Sequence, residues 1–158
     1  MPKILLAVYD IQVSTRSSDT LVARNLATSL GLSIHDPAVG AGGMLTSLLP
    51  FPLLKEQEID APLIFLKNSF PSLLAEMRRL GAEPERMVIK AAGCATLLGG
   101  LHLFNNGQRN DELLDELLER HGLKLAARDT GGTRTRTMTL HVGSGAVRVE
   151  SQGEVREL

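Results

Sequence analysis

A chain of 158 residues is long enough for one domain and short for two ordinary ones, so a single domain spanning 1–158 is expected. Apolar residues at 43% and charged residues at 22% lie close to globular values and exclude a disordered or fibrous chain. Seventeen Lys and Arg against eighteen Asp and Glu give a formal charge of −1, so phosphate backbones and anionic lipid are not attracted and nucleic acid is not an expected partner.

The chain opens MPKILLAVYDI, with an apolar run from Ile4 to Ile11 broken by Asp10. The run is too short to cross a bilayer and lacks the small-residue cleavage site of a signal peptide. It predicts a first strand in a cytoplasmic protein, with no membrane insertion. Leu30 to His35 and Gly43 to Leu49 are short apolar segments separated by Asp36, Pro37 and a glycine-rich turn, which predicts a strand pair around a loop. Ser29 and Thr46 then lie near adjacent strands. Phe51 to Pro62 has no period and predicts a surface loop.

A helix follows, with Asn68 or Ser69 as its cap, Pro71 in its first turn and Gly81 just past its end. Leu73, Leu74, Met77 and Leu80 give it one apolar face. Arg86 to Ala92 predicts a buried strand. A second helix runs from about Asp111 to His121, capped by Asn110 and stopped by Gly122, with Leu113, Leu114, Leu117 and Leu118 as its stripe. Beyond Leu123 to Arg128 the tail alternates, with Met138, Leu140 and Val142 on one side and Thr137, Thr139 and His141 on the other. Gly143-Ser144-Gly145 turns it back into Ala146 to Glu150, and Glu154 to Leu158 is a candidate last strand. These elements predict an α+β fold: one layered domain with mixed or antiparallel sheets and two main helices.

Common chemical motifs are missing. No phosphate loop occurs, and Gly40-Ala41-Gly42-Gly43 reads as a turn, not as a dinucleotide fingerprint. His35, His102, His121 and His141 never stand three to five apart, so neither a metal site nor a cofactor is expected. The single cysteine, Cys94 in AAGCATLL, cannot form an internal disulfide and reads as a buried small hydrophobe. Ala27-Thr28-Ser29-Leu30-Gly31 falls one residue short of a serine nucleophile elbow.

Several runs nevertheless come in a recognisable order: Asn25 to Pro50, Leu80-Gly81-Ala82, Ile89 to Gly93, Gly107-Gln108-Arg109-Asn110 and Asp129-Thr130-Gly131-Gly132-Thr133-Arg134. Over roughly Leu21 to Arg148 the chain resembles CheD, a family of chemoreceptor glutamine deamidases. The resemblance implies a cytoplasmic chemotaxis protein whose partners are methyl-accepting receptors, a CheC-type phosphatase, or both. It also implies a mechanism in which a cysteine thiolate attacks the glutamine amide, a histidine activates it and a threonine assists. Carried over, the cysteine position is Ser29, the histidine position Thr46 and the threonine position Ala23. An alcohol is a far weaker nucleophile than a thiolate, and Thr46 takes no proton at neutral pH.

Two readings follow. Either the chain is a noncatalytic relative that keeps a partner-binding surface, or Ser29 works with another base. His35 and Asp36 on the following strand and His102 in the Leu97 to Phe104 loop are the candidates for that base. Asp129 to Gly132 reads as a strand-ending turn, Arg134 and Arg136 as solvated strand residues, and Arg109-Asn110 as a loop and a helix cap.

Overall fold

A computed structural model describes residues 2–52, 54–96 and 105–158. Within them the elements are β1 (Lys3–Leu5), β2 (Asp10–Ser14), β3 (Thr20–Leu26), β4 (Leu30–Asp36), β5 (Ala41–Ser47), α1 (Lys55–Asp60), α2 (Leu66–Arg79), β6 (Val88–Gly93), α3 (Asn106–Arg120), β7 (Leu125–Thr130), β8 (Arg136–His141), β9 (Val147–Ser151) and β10 (Glu154–Glu157). They build two five-stranded sheets, ordered β1-β3-β8-β9-β10 and β2-β5-β4-β6-β7. Each sheet is mostly antiparallel with one parallel pair, β1 with β3 and β6 with β7, so both are mixed and the fold is α+β as expected. No helix among the described residues is long and apolar enough to cross a membrane.

The β2-β5-β4-β6-β7 sheet is the middle of three layers. Every residue of β4 and β5 is buried, and successive side chains on a strand point to opposite faces. Leu30, Leu32, Ile34 and Leu45 pack with Phe70, Leu73 and Met77 of α2 and Leu114 of α3. On the other face Met44 and Ala92 meet Leu21, Leu26, Met138 and Leu140 of the second sheet. Gly31 lies on this sheet-to-sheet side, where an added Cβ would come within 2.7 Å of Leu26 Cδ1, so its missing side chain sets how closely the sheets approach. The tail behaves as its alternation predicts: Met138 and Leu140 are buried and Thr137 and Thr139 half-buried, and the chain turns at 143–145 into β9.

Three sequence expectations need correction. The Ile4 to Ile11 run is two strands, β1 and β2, one in each sheet. Asp10 breaks the run, because its carboxylate accepts from Ala7 N at 3.1 Å and Ile11 N at 2.8 Å and holds the turn between the sheets. The 51–62 segment contains α1 and leads into a short 3-10 turn, Pro62–Ile64. Finally, α2 begins at Leu66 with Phe65 as its cap residue, so Pro71 sits inside the helix on its exposed side. Its first N–H groups are satisfied by chain and not by a capping side chain: Leu66 N donates to Leu49 O at 2.8 Å and Lys67 N to Pro50 O at 3.0 Å. The buried face of α2 still follows the helical period, through Leu66, Phe70, Leu73, Leu74 and Met77.

The end of β4 is secured by charge. The fully buried Asp36 carboxylate accepts from Arg86 Nε at 3.1 Å, Glu83 N at 3.0 Å and Ala38 N at 2.9 Å. Burial alone would raise its pKa, but the Arg86 guanidinium and the two backbone N–H groups outweigh burial and hold it below the ordinary value. A carboxyl depressed in this way stabilises the fold above its unfolded pKa, and that contribution is lost as pH falls through the folded value. Asp36→Asn is therefore expected to cost about 1–3 kcal/mol near neutral pH in urea denaturation. The gap to the parent protein should close below about pH 4; a gap independent of pH would contradict this account.

Candidate functional site

Ser29 ends the short link between β3 and β4, and Thr46 lies on β5 opposite Gly31 of β4 and Asp10 of β2. The structure brings the two together in one pocket of about 300 Å³ at an end of the two-sheet sandwich. Its remaining walls are Leu6, Ala7 and Val8 of the β1–β2 link and Arg24, Asn25 and Leu26 of β3. Asn25 adopts a left-handed φ of 56° where the β3–β8 register shifts, a conformation asparagine tolerates better than most residues. Ala23, the position expected for the assisting threonine, is elsewhere: it is fully buried opposite Met138, inside the sheet-to-sheet core.

The pocket has little chemical equipment. Ser29 is 8% exposed, and among the described residues its Oγ has no hydrogen-bond partner. Thr46, 3% exposed, donates its hydroxyl to the Ala7 carbonyl at 2.8 Å and so ties down the link that forms the pocket wall. Arg24 is the one ionisable residue in the lining among the described residues. Serine attack needs a base within hydrogen-bond reach, and the candidates that fall among the described residues are committed elsewhere. His35 lies six residues along β4, roughly 20 Å away by strand rise, with Nε2 2.9 Å from the Val142 carbonyl. Asp36 is held by Arg86. His121 Nδ1 meets the Leu117 carbonyl at 2.8 Å, and His141 Nδ1 meets Thr20 Oγ1 at 3.2 Å. His102 lies outside the described residues. Among the described residues no three His, Cys, Asp or Glu side chains gather as a metal site.

Cys94 stands behind the pocket, 1% exposed, its N–H donating to the Ser29 carbonyl at 2.9 Å. Burial pushes its thiol up and the nearby Asp111 charge adds to the effect, so the thiol stays protonated. Gly93 precedes it at φ 104°, and a Cβ there would collide with the Ser29 carbonyl.

Two polar residues brace this region, and sequence reasoning misread both. Asn110, expected to cap a helix, is fully buried inside α3; its Nδ2 donates to Thr28 O at 3.2 Å and Leu48 O at 3.0 Å. It thus joins the β3–β4 link to the chain leaving β5. Its position three residues after Gly107 and four before Leu114 places it on the buried helix face, the signal that could have found it. Arg136, expected to be solvated, is 8% exposed and donates to Gly131 O at 2.7 Å and Gly93 O at 3.1 Å, with Asp129 3.3 Å away. Arg134 is exposed, with Glu154 4.0 Å away. Gly131 and Gly132 both adopt positive φ, as a strand-ending turn requires.

These contacts give two expectations. Thr46→Val should cost about 1 kcal/mol and speed amide exchange at 6–9, whereas Ser29→Ala should stay within about 0.5 kcal/mol; equal effects would contradict the assigned roles. Cys94 should resist iodoacetamide in the native protein and react only on unfolding, as followed by intact mass. Rapid native labelling would show the thiol to be accessible.

The family model described as "CheD chemotactic sensory transduction" matches residues 48–151, beginning two residues past Thr46. A "Probable chemoreceptor glutamine deamidase CheD" of Solibacter usitatus is 32% identical over 100% of this chain and 94% of its own length. Proteins given the same description in Desulforamulus reducens and Thermococcus kodakarensis are each 32% identical, over 96% and 84% of this chain and 92% and 84% of their own lengths. The chain belongs to the CheD family.

Proposed function

We propose that this chain is a noncatalytic CheD homologue. In this reading it acts in the cytoplasm and keeps the family scaffold to bind the signalling region of chemoreceptors, a CheC-type phosphatase, or both, without deamidating glutamine. The observation that carries the proposal is the state of the Ser29–Thr46 pocket: a hydroxyl with no base among the described residues, facing a threonine whose own hydroxyl is engaged by the Ala7 carbonyl. A serine hydroxyl is almost wholly protonated at neutral pH, and losing nucleophile and base together removes orders of magnitude in rate. The buried Cys94 thiol does not replace the missing thiolate. The descriptions of the relatives as chemoreceptor glutamine deamidases support the receptor as partner.

Incubation with receptor cytoplasmic fragments tests the proposal. Co-sedimentation should show binding, and peptide mass spectrometry should find receptor glutamines unchanged. Conversion of glutamine to glutamate that disappears in Ser29→Ala would overturn it.

A further inference from the structure

The second sheet has one face on the central sheet, while α2 and α3 pack in the core on the central sheet's far side. Among the described residues no helix covers its outer face. Yet Thr20 and Val22, whose side chains point outward there, are only 4% and 6% exposed, so the groove has a sheltered floor. The result is a half-open groove of about 720 Å³. Strand register arranges it in rows: Lys3, Thr20 and His141 in the first, Leu5, Val22, Thr139 and Arg148 in the next, and Arg24, Thr137, Glu150 and Val155 around the third.

We propose that this groove docks an acidic amphipathic helix of a partner protein, read by Lys3 and Arg24. The inference goes beyond the noncatalytic reading, since it uses a different face and holds whether or not Ser29 is reactive. Charge is divided across the groove. Lys3 and Arg24 have no ion pair among the described residues, whereas Arg148 faces Glu157 at 3.4 Å and Glu150 shares its wall. The β1–β3 half is therefore the cationic one. Between its two cations lie apolar Leu5, 48% exposed, and the Val22 floor, with Val155, 60% exposed, on the opposite wall.

The spacing fits a helix better than the alternatives. Lys3 pairs with Thr20 and Arg24 stands four residues further along β3, roughly 13 Å by strand rise. Carboxylates two helical turns apart are separated by roughly 11 Å, so one face of a helix reaches both cations while its apolar stripe covers Leu5 and Val22. A helix about 10–12 Å across spans two to three strands spaced about 4.8 Å apart. One small anion cannot bridge two cations that far apart. Arg24 is the one lining residue that the groove shares with the Ser29–Thr46 pocket.

The test is an amide NMR titration of the protein with a stapled amphipathic helix bearing Glu on its polar flanks, alongside the same helix with Lys in their place. The acidic helix alone should shift resonances of Lys3–Leu5, Thr20–Arg24 and Thr137–His141. Combined Lys3→Glu and Arg24→Glu should weaken it at least about tenfold, with the remaining spectrum unchanged, and Arg24→Lys should retain binding. Equal binding of both helices, no binding, shifts confined to another surface, or indifference to charge reversal would each overturn the proposal.

Discussion

Because β4 and β5 are covered on both sides, every polar group along them has to find a partner inside the protein. Ser33 Oγ lies 3.5 Å from the Lys90 carbonyl, His35 meets the Val142 carbonyl, Asp36 meets Arg86, Thr46 meets the Ala7 carbonyl, and Ser47 donates to Ile64 O at 3.0 Å. The side chains that look like chemistry in the sequence are thus occupied by the demands of burial. Ser29, just before β4 begins, differs from them, and its hydroxyl lines the pocket with no partner among the described residues.

The same constraint explains what holds the site region together. A β-branched threonine at 46 suits a strand, and its hydroxyl anchors the link between the two sheets. Asn110 and Arg136 hold the neighbouring loops from α3 and β8 by donating to main-chain carbonyls, which is a structural role and not proton chemistry. The pocket walls are therefore maintained by interactions that do not depend on what stands at 29.

The sequence made legible whatever depends on local pattern. The apolar runs around the 36–40 turn became β4 and β5, and the Met138–Leu140 alternation became a buried strand face. The resemblance placed Ser29 and Thr46 side by side. What stayed hidden depends on contacts distant in the chain. The start of α2 is set by the Leu49 and Pro50 carbonyls, the Ile4 to Ile11 run cannot show that its halves join different sheets, and Arg136 looks like any exposed strand arginine until Gly93 and Gly131 surround it. Arg24 stays hidden for a local reason, since Leu21, Val22 and Ala23 run together as apolar residues and β3 shows no strand-period alternation around it.

Ser29 is not expected to be an activated nucleophile, and the direct test is reaction of the native protein with a fluorophosphonate, followed by intact and peptide mass. An activated serine displaces fluoride and retains the phosphonyl group, whereas an ordinary hydroxyl does not. No adduct is expected at Ser29 under conditions that fully label a serine hydrolase. Stoichiometric labelling of Ser29 would contradict it.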